Sequence, residues 1–85
     1  MIQVIVGKKG TGKTKTLIGM ANSMIDSSKG EIVFITNERK SMLELDHQIR
    51  LIKTYEFGII GLKQFYGFLC GIIAANYDID QIYID

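Results

Sequence analysis

The chain has 85 residues, a net charge of +1 and a 47% hydrophobic composition, with no proline. That length allows one small domain burying about 60 to 65% of the surface of its unfolded chain, and the near-zero charge argues against a dedicated nucleic-acid or acidic-surface binder. Cys70 is the only cysteine, which excludes an intrachain disulfide and a cysteine-only zinc site.

Ile2-Gln3-Val4-Ile5-Val6 is a compact apolar run that reads as a buried strand. It leads into Gly7-Lys8-Lys9-Gly10-Thr11-Gly12-Lys13-Thr14, which fits the pattern G-x-x-x-x-G-K-[ST] at every fixed position. The spacing has a chemical reason: Gly7, Gly10 and Gly12 let successive backbone N–H groups curl around an anion with no Cβ to hold it off. Lys13 is then expected to reach the β- and γ-phosphates as a catalytic cation, and the Thr14 hydroxyl to ligate a bridging Mg²⁺. Lys8, Lys9 and Thr11 fill variable positions, where the two lysines add positive potential. From residue 13 to about residue 26, Leu17, Ile18, Ala21, Met24 and Ile25 keep the spacing of an amphipathic helix. Strand, loop and helix in this order aim a helix N-terminus at an anion. The bland alternative is a glycine-rich turn carrying solvated lysines.

Together these three elements resemble the opening of a P-loop NTPase. The resemblance implies a three-layer α/β/α fold with a short parallel sheet, and ATP or GTP with Mg²⁺ as ligands; it does not specify a reaction. Such domains are usually near the common size of about 100 to 150 residues or larger. Residues 1–85 are therefore expected to form a single nucleotide-binding domain, the N-terminal part of a larger one or else a minimal version.

Farther along, residues 26–30 are a polar, glycine-ended run that turns the chain. Glu31-Ile32-Val33-Phe34-Ile35-Thr36 reads as a second strand, apolar on both faces like a parallel strand covered on both sides. Ser41-Met42-Leu43-Glu44 matches a capping box and predicts a short helix through about residue 48. Residues 49–55 are read as a short outer strand and residues 58–61 as a loop. From residue 62 to 76, Leu62, Phe65, Tyr66, Leu69, Ile72 and Ile73 recur at helical spacing, and Phe68, Cys70, Ala74 and Ala75 widen the apolar surface, so this helix is expected to be largely buried. Cys70 should then be an inert buried thiol, and Gly67 and Gly71 should permit a close approach. Gln81-Ile82-Tyr83-Ile84-Asp85 reads as the last strand. Right-handed crossovers would place the two long helices on opposite faces and the last strand between the first two.

An apolar strand ending in Asp, after the loop and a further helix, resembles the Walker B element of P-loop NTPases and assigns Asp85 to the Mg²⁺. If the chain ends at Asp85, a free α-carboxylate would add a second negative charge there. Val33-Phe34-Ile35-Thr36-Asn37-Glu38 resembles the strand-then-Glu segment of RecA-like ATPases, which would make Glu38 the base that activates water; the alternative is a solvated loop carboxylate. Arg39 and Arg50 are candidate arginine fingers acting on a neighbouring subunit, the alternative being ordinary surface arginines, and His47 has no partner at ligand spacing. Short clostridial-type ATP-binding proteins labelled PilT-like are similar along much of the chain, including the capped segment, Phe65-Tyr66-Gly67 and the closing Ile-Tyr-Ile-Asp. That resemblance implies ATP binding, and not motility, since the secretion motors carry a whole additional domain.

The expected function is therefore Mg²⁺-dependent binding of a nucleoside triphosphate, with slow hydrolysis as its possible activity. A small phosphotransferase and a non-hydrolysing, nucleotide-gated interaction module are the alternatives. The apolar stretch over residues 57–75 is interrupted by Lys63 and Gln64 and is too short to span a membrane, and with no signal peptide and a lone cysteine the expected location is the cytoplasm. No nucleic-acid partner is indicated. The first strand should lie at a sheet edge, where Ile2, Val4, Ile5 and Val6 would recruit a second copy or a protein partner.

Overall fold

A computed structural model describes residues 1–8 and 13–85. Among them, strands β1 (Gln3–Val6), β2 (Glu31–Thr36), β3 (Arg50–Lys53) and β4 (Ile79–Ile84) pair in parallel in the order β1-β4-β2-β3. Helix α1 (Lys13–Ser23) follows β1, and helix α2 (Gly61–Ala75) leads into β4. As expected, β4 lies between β1 and β2.

The two faces of the sheet are separated by the two-residue period of β2. Ile32 and Phe34 turn to one face, where they pack with Tyr83 and with Leu17, Ile18 and Ala21 of α1. Val33 and Ile35 turn to the other, against Ile82 and the Phe65, Leu69, Ile72 and Ile73 stripe of α2. The helices therefore cover opposite faces, and β2 reads as an unbroken apolar run because both its faces are buried. Phe34 and Tyr83 stack beneath α1 with ring centroids 6.5 Å apart.

Helix α1 stops at Ser23, short of residue 26, because the chain tightens into turns there: the N–H of Met24 bonds the Ala21 carbonyl and that of Ser27 the Met24 carbonyl. Met24 and Ile25 still pack on the core from those turns. Residues 41–48 form two turns and no helix, contrary to the capping-box expectation. The competitor is Asn22 of α1, whose amide donates to the Glu44 carbonyl and whose oxygen accepts the Asp46 N–H at 2.9 Å. Asp46 in turn accepts the Gln48 N–H at 2.9 Å. The bonds from Asn22 and the local Asp46 bond together displace the helical ladder, and burial of Leu45 and Ile49 holds the result in place.

Helix α2 departs most from expectation. None of its residues is fully buried, because a single apolar stripe meets the sheet, and its flank is covered only in part, by Phe57 against Phe68 with ring centroids 5.5 Å apart. Leu62 is 85% and Tyr66 69% exposed, and Cys70 is exposed as well. A Cβ at Gly67 or Gly71 would meet nothing within 4 Å, so neither serves a close approach. On the same face, Val4 and Val6 of the edge strand β1 are 45% and 67% exposed. The chain exposes 5991 Å², against about 5,100 Å² for a compact monomer of its mass. No helix among the described residues is long and apolar enough to cross a membrane.

Candidate functional site

Parallel pairing brings the carboxyl ends of β1, β4 and β2 to one rim. There the N–H of Gly7 bonds the Ile84 carbonyl at 2.8 Å, and the N–H of Asp85 bonds the Ile35 carbonyl at 2.9 Å. Those two bonds set the ends of three strands level and put Gly7, Asp85 and Thr36 side by side. Gly7 has a packing reason to be glycine: a Cβ there would stand 3.0 Å from Lys13 Cε and 3.2 Å from Leu17 Cδ2. Lys13 therefore folds back over the strand end that precedes the loop. Lys9, Gly10, Thr11 and Gly12 lie outside the described residues.

Thr14 and Asp85, 71 positions apart in sequence, meet at this rim. The Thr14 hydroxyl lies 3.0 Å from Asp85 Oδ1 and 3.1 Å from Oδ2, and the Thr36 hydroxyl donates to Oδ2 at 2.9 Å. Two hydroxyls thus hold one half-buried carboxylate, and bonds to an ionised acceptor are the stronger kind. Thr36, only 1% exposed, also accepts the Glu38 N–H at 2.9 Å.

Lys13, Thr14, Thr36, Glu38, Arg39 and Asp85, with Asn37, line a cavity of about 570 Å³, within the usual range for small-molecule sites. It holds two cationic and two anionic side chains. Glu38 is half-buried two residues past the end of β2, the position where open α/β sheets take ligands. Arg39 faces its own chain's cavity and also stacks on Tyr55, with its guanidinium carbon 4.2 Å from the ring centroid. Arg50 lines a different cavity, with Glu31 and Asn76 at the opposite end of the strands. The His47 side chain is 93% exposed beside Asp46. Lys15 and Lys40 border a neighbouring cavity that also contains Thr14 and Glu38.

A magnesium ion suits the donors present. It prefers hard oxygen ligands and typically takes one or two protein groups, leaving the rest of its shell to water and phosphate. The Thr14 hydroxyl and Asp85 carboxylate are such a pair, and no cluster of three or more His, Cys, Asp or Glu among the described residues offers a fuller metal cage.

Thr36 and Asn37 were not singled out by sequence. The available signal was a hydroxyl residue closing a run that is otherwise apolar from Ile32 to Ile35. Comparisons of the chain with protein-family models, with curated proteins and with solved structures find no match.

Proposed function

We propose that the chain is a P-loop protein that binds ATP or GTP with Mg²⁺ in the cytoplasm. The observation that carries this reading is the contact between the Thr14 hydroxyl and Asp85, which joins the ends of the two motifs in one cavity with Lys13. Lys13 would neutralise the phosphates, while Thr14 and Asp85 would hold the Mg²⁺, directly or through water. When bound, the metal supplies charge neutralisation between the β- and γ-phosphates. Direct pairing of β1 with β4 supports the strand arrangement of the kinase and GTPase branch over the RecA-like one, where a further strand intervenes. Glu38 faces the same cavity as Lys13, so it is the side chain suited to accept the proton of an attacking water. Raising the melting temperature with Mg·ATP tests the binding, since a ligand of the native state alone stabilises it by mass action. The shift is expected to disappear in Lys13→Ala, and no shift at millimolar nucleotide overturns the reading.

The phosphotransferase alternative gains support from a second cavity of about 300 Å³ on the α2 side of the rim. It shares Thr36, Asn37 and Asp85 with the first and is otherwise lined by Ile35, Thr54, Leu62, Phe65 and Ile84. An acceptor molecule there would sit beside the same carboxylate. Phosphate release that Glu38→Gln removes identifies a hydrolase; no release without an added acceptor, and transfer with one, identifies a kinase. Binding with neither leaves a nucleotide-gated module.

The partner we propose for the open face of β1 and α2 is a second copy of the chain. The chain as a whole exposes roughly 900 Å² more than a compact monomer of its mass, close to the about 800 Å² each partner contributes to a standard interface.

A further inference from the structure

Every residue of the loop at positions 37–40 is tied down, and three of the four ties run away from the site. Asn37 accepts the Thr54 hydroxyl at 2.9 Å, Arg39 stacks on Tyr55, and the Lys40 carbonyl accepts Lys53 Nζ at 3.1 Å. All three partners belong to the end of β3 or the single 3₁₀ turn after it (Thr54–Phe57). The fourth tie is different. The Glu38 N–H donates to Thr36 Oγ1, and that same hydroxyl donates its only proton to Asp85 Oδ2, each at 2.9 Å. A hydroxyl has one donor and two acceptor positions, so this polarity is the one that satisfies both neighbours at once. The side chain is 1% exposed, which keeps water from substituting for either bond.

We infer that Thr36 is a positioning residue, coupling the state of the Asp85 carboxylate to the loop that carries Glu38 and Arg39. This rests on the nucleotide reading above and adds to it a route by which the occupied site is communicated to its neighbouring loop. Thr14 bonds both carboxylate oxygens at nearly equal length, and one hydroxyl proton cannot serve both fully. Thr36 is therefore the donor that fixes which way the carboxylate faces. If Thr14 turns its lone pairs to a cation, Thr36 becomes the carboxylate's remaining hydroxyl donor among the described residues. Rotation of Asp85 must then carry the Thr36 hydroxyl with it or break that bond, and either event alters the position or polarisation of the oxygen that accepts the Glu38 N–H. Hydrogen bonds in series polarise one another, so the change is felt along the chain of three groups.

The test uses the 85-residue chain and two variants: Thr36→Val, which keeps the branched shape and removes the hydroxyl, and Thr36→Ser, which keeps the hydroxyl. Calorimetric titration gives the ratio of ATP affinities with and without Mg²⁺ for each protein, a ratio in which a general loss of stability cancels. Backbone NMR follows the Glu38 amide. In the wild type, Mg·ATP is expected to change the exchange rate and shift of that amide. In Thr36→Val the magnesium-dependent ratio is expected to fall about tenfold, the size of one lost bond to a charged group, and the amide response to vanish. Thr36→Ser should restore both. A Thr36→Val protein that keeps the full ratio while the wild type responds to Mg·ATP overturns the coupling and leaves the nucleotide reading intact. A wild-type Glu38 amide that ignores bound Mg·ATP overturns it without any variant. No magnesium effect on wild-type nucleotide affinity overturns both.

Discussion

Asp85→Asn separates what the carboxylate does for the fold from what it does for a ligand, because the substitution keeps the side chain's shape and removes its charge. Asp85 accepts from Thr14 and from Thr36 at 2.9 to 3.1 Å. An asparagine keeps one acceptor oxygen, which at the Oδ2 position can still take both hydroxyls, but it loses the charge that strengthens these bonds and replaces the second acceptor of Thr14 with an N–H₂ donor. Bonds to a charged acceptor contribute about 1.5 to 3 kcal/mol net; with the site half-open to water, a loss of about 1 to 2 kcal/mol is the reasonable expectation. For a domain of this size that lowers the melting temperature by roughly 5 to 15 °C. In the wild type, nucleotide at a hundred times its dissociation constant is expected to add about 2.7 kcal/mol. Differential scanning fluorimetry with ATP, with and without Mg²⁺, reads both effects in one experiment. The asparagine variant should melt lower, lose the magnesium-dependent part of the shift, and keep or increase the metal-free part, because a negative charge beside the phosphates has gone. A variant with wild-type melting and a wild-type magnesium increment would show that Asp85 neither holds the two threonines nor serves the metal.

Two glycine substitutions should differ in kind. Gly7→Ala crowds only the ends of Lys13 and Leu17, so it should cost about 1 kcal/mol yet sharply reduce the nucleotide-induced shift, as measured by the same fluorimetry. Gly30→Ala drives a Cβ into the Asp78 carbonyl, which already accepts the Glu31 N–H and cannot move aside; chemical denaturation should show a loss of about 3 kcal/mol or more. Burial raises the Tyr83 hydroxyl pKa above its ordinary 10.0. The unfolded chain therefore loses that proton first, and stability should fall as pH rises past the ordinary value; Tyr83→Phe should flatten that part of the alkaline melting curve. Val6→Lys at the edge strand should shift sedimentation toward a concentration-independent monomer, and a monomeric wild type over the same concentrations would remove the case for a second copy.

The parts of the fold that could be read in advance are those where a local pattern and the tertiary structure demand the same thing. The run from Ile32 to Ile35 announces a strand buried on both faces, and Leu17, Ile18 and Ala21 announce the inner stripe of α1; both requirements are met by the sheet. The segment at 41–48 shows the opposite case. Its capping-box residues are a helix-start signal, but Asn22, some twenty residues earlier, takes the Glu44 carbonyl and the Asp46 N–H that a helical ladder would use. Sequence windows do not contain that competitor. Helix α2 is less buried than its composition predicts for a related reason: an apolar composition fixes how much surface could be buried, whereas the number of layers available fixes how much is.

The site divides along the same line. Motif spacing singles out Lys13 and Thr14, and element order singles out Asp85, all of which the fold brings to one cavity; Thr36 has no such signal, since a threonine at the end of a strand is ordinary until its neighbours are known. What makes it informative is the register: Asp85 bonds through its N–H to the Ile35 carbonyl, so the two strand ends stop level and the Thr36 hydroxyl falls 2.9 Å from the carboxylate. Had β4 slipped by one residue, its side chains would have exchanged faces, and both contacts would be lost. The register is itself secured at the other end of the sheet, where it shifts once between Glu31 and Ile32 and where Asp80 accepts the Ser28 hydroxyl at 2.9 Å. Residues remote from the cavity thus decide whether Thr14, Thr36 and Asp85 meet. Loosening that far end, for example by Asp80→Ala, should weaken the site without touching it.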